Sequence, residues 1–234
     1  MSAEIGVVSF PGSNGDEDAL HALRVGVGVP ARLVDYRETD LSRLAAVVLP
    51  GGFSHGDHLR PGAIARFAPV MTPLRDFAAR GGPVLGICNG FQILTEAHLL
   101  PGALLRNRTL RFHCHWTYLR VEQTATVWTA GCAPEQIMHL PVAHGDGAYY
   151  ADVATLNRLE STGRVVARYC DGAGRLTMAA NANGSARSIA GLANDAGNVV
   201  GLMPHPERAA DAMLGGTDGL VLLNAVFAML AVAV

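Results

Sequence analysis

The chain has 234 residues, half of them hydrophobic, only 16% charged and 27 of them glycine, which excludes a disordered segment and fits an α/β enzyme with many tight turns. A net charge of -2 without a basic run gives no electrostatic footprint for nucleic acid or for an anionic membrane surface. The four cysteines, Cys88, Cys114, Cys132 and Cys170, form no Cys-x-x-Cys pair, so neither a zinc knuckle nor a secreted disulfide framework is indicated and a reducing cytoplasm fits best. Glu4 stands where a signal peptide would carry basic residues, and no secretory leader is expected.

In chain order, residues 5–10 form an apolar, β-branched run closed by Pro11-Gly12 and read as a buried first strand. Asn14 or Asp16 is expected to cap a helix reaching about Val25. Residues 32–36 and 45–49 read as the second and third strands, the latter ended by Pro50-Gly51-Gly52, and a helix is expected over residues 72–79. Strands alternating with helical stretches predict a mainly parallel sheet with helices on both faces. Such sheets gather ligands at the carboxyl ends of their strands, where the loops after Phe10, Leu49 and Ile87 all open. From about Phe112 the pattern changes to strand-like segments, 112–121 and 165–170, separated by Gly, Asn and Asp-rich turns; this predicts an antiparallel extension of the same sheet. Residues 199–203 read as a last buried strand. The apolar stretch 220–234 contains Asn224, falls short of the ~20 residues a bilayer span needs, and reads as a buried helix. No repeat or linker is visible, so residues 1–234 are expected to form one domain.

Residues 83–94, PVLGICNGFQIL, predict a buried strand that turns at Cys88 into a helix. Gly86 and Gly90 flank Cys88 at two residues on either side, the spacing of a nucleophile elbow, in which small neighbours let the helix pack close to the strand. A sulfur at a helix start meets unpaired amides and the positive dipole end, which favour thiolate. A buried structural cysteine is the plain alternative. A cysteine nucleophile also needs a base, and the base needs an orienting group. His205-Pro206-Glu207 offers both, because an extended His205 before proline would place the Glu207 carboxylate on its own side of the chain. The plain alternative there is a polar turn with Glu207 paired to Arg208. Acyl transfer further requires oxyanion donors, and the backbone N–H of Asn89 and of a glycine in the Pro50-Gly51-Gly52 loop are suited to that role. His113 and His115 share one strand face while Cys114 takes the other, and with no second ligand cluster near them a metal site is not expected.

These motifs, in this order, resemble the class I, triad-type glutamine amidotransferases, a flavodoxin-like α/β family. Within that class the sequence is similar to the glutaminase subunits of phosphoribosylformylglycinamidine synthase. The similarity runs through GGFSHGDHLRPGAIA from Gly51, NGFQIL from Asn89, RNRTLRFHCHW from Arg106, PVAHGDG from Pro141, NANGS from Asn181, and IAGLANDAGNVVGLMPHPERA from Ile189, followed by GTDG from Gly216. Ala182 stands where the pattern usually has proline, and His55 and His58 where tyrosines are common.

The resemblance implies Cys88 as nucleophile, His205 as general acid/base, Glu207 as its orienter, and Gly52 and Asn89 as oxyanion donors through their backbone. It also implies that Gln92 and the segment holding Asn107, Arg108 and Phe112 shape a glutamine pocket. The implied reaction releases ammonia from glutamine for a large synthase subunit, assisted by a small accessory subunit. With no phosphate loop legible here, ATP and magnesium are expected on that partner and no cofactor in this chain. Residues 139–150 and 181–188, read as loops, are candidate docking surfaces. The same chemistry serving another acceptor synthetase, and a silent scaffold or sensor of the same fold, are the alternatives.

Overall fold

The computed structural model describes residues 4–232, with side chains to Val226. Short apolar runs build strands β1 (Glu4–Ser9), β2 (Ala31–Asp35), β3 (Leu44–Leu49) and β4 (Val84–Ile87), with α1 (Asp16–His21) after β1, α2 (Met71–Ala79) before β4 and α3 (Asn89–Glu96) leaving β4. The chain continues through β5 (Ala103–Leu105), β6 (His113–Val121), β7 (Ile137–His144), β8 (Ala148–Tyr150), α4 (Val153–Ser161), β9 (Val165–Cys170), β10 (Ile189–Ala193), β11 (Val199–Leu202) and α5 (Gly219–Val232). The nine-stranded sheet runs β2-β1-β3-β4-β11-β10-β9-β6-β7, and β5 and β8 form a separate ribbon. From β2 to β11 all neighbours are parallel; from β11 to β7 all are antiparallel. The sheet therefore has the predicted parallel half and antiparallel extension. Every residue of β4 and β11 is buried, as expected of central parallel strands covered on both sides.

Three features differ from the sequence reading. Gly15, not Asn14 or Asp16, precedes α1, and no side chain caps it. Its N–H and that of Asn14 donate to the Gly51 carbonyl at 3.1 and 3.3 Å, while the Asp16 carboxylate accepts from Ser9 Oγ at 2.6 Å. The first helix is α-helical only to His21 and ends in a π-helical turn, Ala22–Val27, closed by Gly28 in the left-handed region. Residues 139–144, read as a loop, belong to β7, an edge strand along which buried and half-buried residues alternate. Pro141 is tolerated there because an edge strand leaves one row of its N–H groups without a ladder partner. The last two residues of the C-terminal segment, 233–234, lie outside the described residues.

The topology fixes the site. β4 and β11 are adjacent parallel partners, with Ile87 opposite Leu202, so Cys88 and the run Met203-Pro204-His205 leave the same sheet edge side by side. The Cys88 N–H donates to the Leu202 carbonyl at 2.7 Å, and that of His205 to Pro141 of β7 at 2.9 Å. An isolated bridge between Ser13 and Gly52 draws the loops after β1 and β3 to the same edge.

Candidate active site

Cys88 sits between β4 and α3 with φ 51° and ψ -104°, a conformation that costs a non-glycine residue about 1–3 kcal/mol and survives only where its surroundings impose it. The imposition comes from packing. A Cβ on Gly90 would stand 2.7 Å from the Leu49 carbonyl carbon and closer still to its oxygen, and a Cβ on Gly86 would press on Leu94 and on the backbone of Gly90. With only hydrogens at these two positions α3 lies flush on β3 and β4, and the turn at Cys88 has no room to relax.

The imidazole of His205 is 1% exposed and its Nδ1 meets Glu207 Oε1 at 2.6 Å. Pro206 opens a 3₁₀ turn over Pro206–Arg208 in place of the expected extended chain; His205 alone is extended, and the turn swings the carboxylate back to the ring. Arg208 turns away to Asp18 at 3.0 Å and reaches Glu207 only at 3.8 Å, so the plain pairing of Glu207 with Arg208 is secondary. Among the described residues His205 Nε2 has no hydrogen-bond partner, while the Cys88 thiol donates to the Ala143 carbonyl at 3.6 Å. A Cβ on Gly51 would stand 2.7 Å from His205 Cε1 and 3.6 Å from Cys88 Cβ, so loop, base and cysteine share one small volume.

Burial opposes a charge on His205, but the Glu207 carboxylate and the Cys88 sulfur outweigh it and lift the pKa to about 10. Because the folded value lies above the ordinary 6.5, protonated His205 favours the fold; this contribution is complete below pH 6.5 and is lost as pH rises through about 10. Glu207→Gln removes the largest opposing influence. The imidazole pKa should then fall toward or below its ordinary value, and glutamine hydrolysis should drop roughly 10²–10⁴-fold. The pH profile of Cys88 alkylation reads the change: a profile identical to that of the unaltered protein would contradict the pairing.

The Asn89 N–H opens α3, where a helix leaves its first amides without internal partners. Gly52 adopts φ 141°, and its neighbour Phe53 donates to Gly12 at 2.9 Å while its own N–H takes no acceptor among the described residues. The side chain of Asn89 has a second task that the sequence did not reveal. Its Oδ1 accepts from the Ser54 N–H at 3.1 Å and its Nδ2 donates to Gln92 Oε1 at 2.8 Å, so the elbow holds the glycine loop directly. That loop carries His55, Gly56, Asp57 and Leu59 all at positive φ. His55 packs edge-on against Phe10 and Tyr36, and burial together with the nearby Asp146 charge raises Asp57 to about 6.

The predicted pocket residues separate into two groups. Gln92 is 5% exposed rather than a surface position of α3, and its Nε2 donates to the Asp146 carbonyl at 2.7 Å. Asn107 is wholly buried: Nδ2 donates to Arg111 and His144 carbonyls, and Oδ1 receives His144 Nδ1 and the Gly147 N–H. Its amide is saturated by these protein partners, so Asn107 clasps two loops together. Arg108 lies at the surface near Asn181, and Phe112, about half exposed, stacks on Phe53 of the glycine loop with centroids 6.4 Å apart.

Transferring an acyl group from nitrogen to sulfur and then to water requires an exposed lone pair, a proton carrier held in one orientation, and donors where negative charge develops. Triad-type glutamine amidotransferases are the class that stations these groups at the carboxyl edge of such a sheet. Residues 2–215 match the CobB/CobQ-like glutamine amidotransferase domain, and the chain belongs to that family. Phosphoribosylformylglycinamidine synthase subunit PurQ of Thermomicrobium roseum is 59% identical over 223 residues, covering 95% of this chain and 94% of its own. The subunit of the same name from Rubrobacter xylanophilus is 58% identical over 96% of this chain and 97% of its own. Among solved structures, PurLQS from Thermotoga maritima contains a chain 40% identical to this one, with a TM-score of 0.86, covering 98% of this chain and all of that one.

Proposed function

We propose that this chain is the glutaminase subunit of a phosphoribosylformylglycinamidine synthase in purine biosynthesis, working with a large synthase subunit and a small accessory subunit. The observation that carries this reading is the closed pair of His205 and Glu207, with Nε2 unpartnered and Cys88 beside it at the same sheet edge, in a chain 59% identical to a PurQ subunit. Cys88 Sγ attacks the side-chain amide carbon of glutamine. The C=O electrons move to oxygen, and the resulting oxyanion is held by the Asn89 and Gly52 N–H groups. Protonated His205 gives its proton to the amide nitrogen, the C–N bond breaks and ammonia leaves a thioester. Water, deprotonated by His205, then attacks the thioester; the C–S bond breaks, glutamate departs and Cys88 is restored. Gln92 and Asn107 support the pocket from behind, and Arg108 and Phe112 stand at its rim.

Ammonia is of use only where an acceptor is activated, and no phosphate loop is legible in this chain. ATP and magnesium therefore belong to the synthase subunit. The continuous nine-stranded sheet supports residues 1–234 as one domain. The thiols are free and no helix among the described residues is long and apolar enough to cross a membrane, which suits a cytoplasmic enzyme.

The test is glutamate release by the purified chain, first alone and then with the synthase and accessory subunits, ATP and formylglycinamide ribonucleotide. A strong rise only in the full mixture is expected. Strong activity indifferent to the mixture would transfer the chemistry to another acceptor, and silence in every mixture would overturn it.

A further inference from the structure

Beside the triad carboxylate lies a cavity of about 680 Å³, and the titratable groups lining it come from three places: Asp18 and His21 on α1, His115 on β6, and Glu207, Arg208 and Asp211 after β11. Arg208 is the cation next to Glu207. Its backbone is fixed, because its N–H donates to the His205 carbonyl at 3.3 Å and closes the turn. The torsions of its side chain therefore decide which carboxylate the guanidinium serves. Two compete for it. Nε donates to Asp18 Oδ2 at 3.0 Å and stands 3.8 Å from Glu207 Oε1, the same oxygen that meets His205 Nδ1 at 2.6 Å. The other oxygen, Glu207 Oε2, is buried and has no hydrogen-bond partner among the described residues.

A buried carboxylate with an unused oxygen attracts an adjacent guanidinium, because a charge pair gains more where water is excluded and the planar fork can engage both oxygens. Asp18 opposes that move. Its side chain is 47% exposed and that of Arg208 29%, so their pair keeps the guanidinium partly in water and avoids the desolvation that pairing with Glu207 would impose. Asp211, the remaining carboxylate of the cavity, is exposed and already accepts the Met213 N–H at 2.8 Å. The outcome matters at His205. Burial disfavours the imidazolium, and Glu207 is the first of the groups that overcome it, ahead of Cys88. A guanidinium drawn onto Glu207 would offset that field and compete with Nδ1 for Oε1. The neighbouring His144, kept neutral by burial, supplies no compensating charge. Asp18 is also placed by the site itself, since the Gly15 N–H at the start of α1 donates to the Gly51 carbonyl at 3.1 Å and ties the helix to the glycine loop.

We propose that Asp18 is a positioning residue for the triad: it holds the Arg208 guanidinium off Glu207, so that the buried carboxylate acts on His205 alone. The inference rests on the glutaminase reading above and deepens it, adding to the three triad residues a fourth that touches neither glutamine nor the reacting atoms.

Asp18→Asn keeps the side-chain volume and removes the charge. In the complete synthase complex it should lower kcat for glutamate release roughly tenfold with KM for glutamine unchanged, while synthesis from ammonium salt stays as before. In the isolated full chain, the reaction of Cys88 with iodoacetamide should move to higher pH. Arg208→Gln alone should slow neither reaction. The double variant Asp18→Asn/Arg208→Gln should recover kcat to within about twofold of the unaltered complex, since no guanidinium remains to be restrained. An ion pair that merely fastens α1 would leave the double variant as slow as Asp18→Asn, and that result would overturn the proposal. So would an unchanged kcat and alkylation profile in Asp18→Asn. The alkylation profile requires no assembly, so it decides the question even where the variant does not join the complex. Failure of the unaltered complex to make product from glutamine would instead overturn the glutaminase reading, so the two are told apart before any variant is read.

Discussion

Cys88→Ala should abolish synthesis from glutamine, lowering glutamate release by roughly 10⁴–10⁶-fold, while the synthase complex continues to make product from ammonium salt. The size of the effect follows from the geometry. Cys88 supplies the only protein atom that bonds to the substrate carbon in the proposed reaction, whereas His205 and the two N–H donors act on charge and protons around it. Alanine keeps the Cβ, so the positive φ at position 88 is no more strained than before, and α3, the Asn89 N–H and the glycine loop should stay in place. Loss of activity from glutamine with activity from ammonia preserved therefore separates the nucleophile from the assembly. The comparison is glutamate release and amidated product from each nitrogen source at one complex concentration. Glutamine hydrolysis surviving in the variant would refute the assignment of Cys88.

Gly90→Ala should act on stability and chemistry together. The added methyl would occupy the place of the Leu49 carbonyl oxygen, which is backbone and cannot swing aside as a flexible side chain could. Helix α3 has to lift off β3, at about 3 kcal/mol or more for an overpacked core, which lowers the melting temperature by roughly 6–12 °C in a chain of this size. The same displacement pulls Asn89 from Ser54 and moves the Asn89 N–H from its oxyanion position. A misplaced donor of this kind is worth about 3 kcal/mol, so hydrolysis should fall roughly a hundredfold even in the fraction that remains folded. Thermal melts and glutamate release on the same sample check both. A melting temperature within a degree of the unaltered chain would show that α3 does not rest on Gly90 as described.

The sequence disclosed the elements whose physics is local. Strands β1, β3, β4, β9 and β11 are short, apolar and bounded by turn residues, and each lies within a residue or two of its expected place. The elbow was legible because its two glycines are required by close packing on both sides of Cys88. Strand β7 was hidden, since an edge strand holding Pro141, His139 and His144 looks like a polar loop until β6 pairs with it. Helix α4 depends on its Asp152 cap and two buried leucines, β10 carries a central glycine, and β5 and β8 are three residues each, too short for any periodicity. At the site, the residue types that carry chemistry could be named, but not the direction of a polar side chain. Asn107 and Gln92 read as pocket residues, yet their amides are engaged in supporting it. Whether a buried amide faces ligand or protein depends on partners far away in sequence, here His144, Gly147 and Asp146.

The neighbouring positions of β4 and β11 also determine when the protein acquires its chemistry. Everything between Ile87 and Val199, including the whole antiparallel half of the sheet, is synthesised after the cysteine strand and before the strand that delivers the base. Bringing those two strands together closes a long loop, a slow and late event in folding, so the cysteine and its base meet only after most of the chain has been made. A growing chain on the ribosome, or a fragment cut short before β11, holds the sulfur without His205 and Glu207 and is inert toward glutamine. The strand order thus restricts ammonia release to molecules in which β11 has been made and has paired with β4.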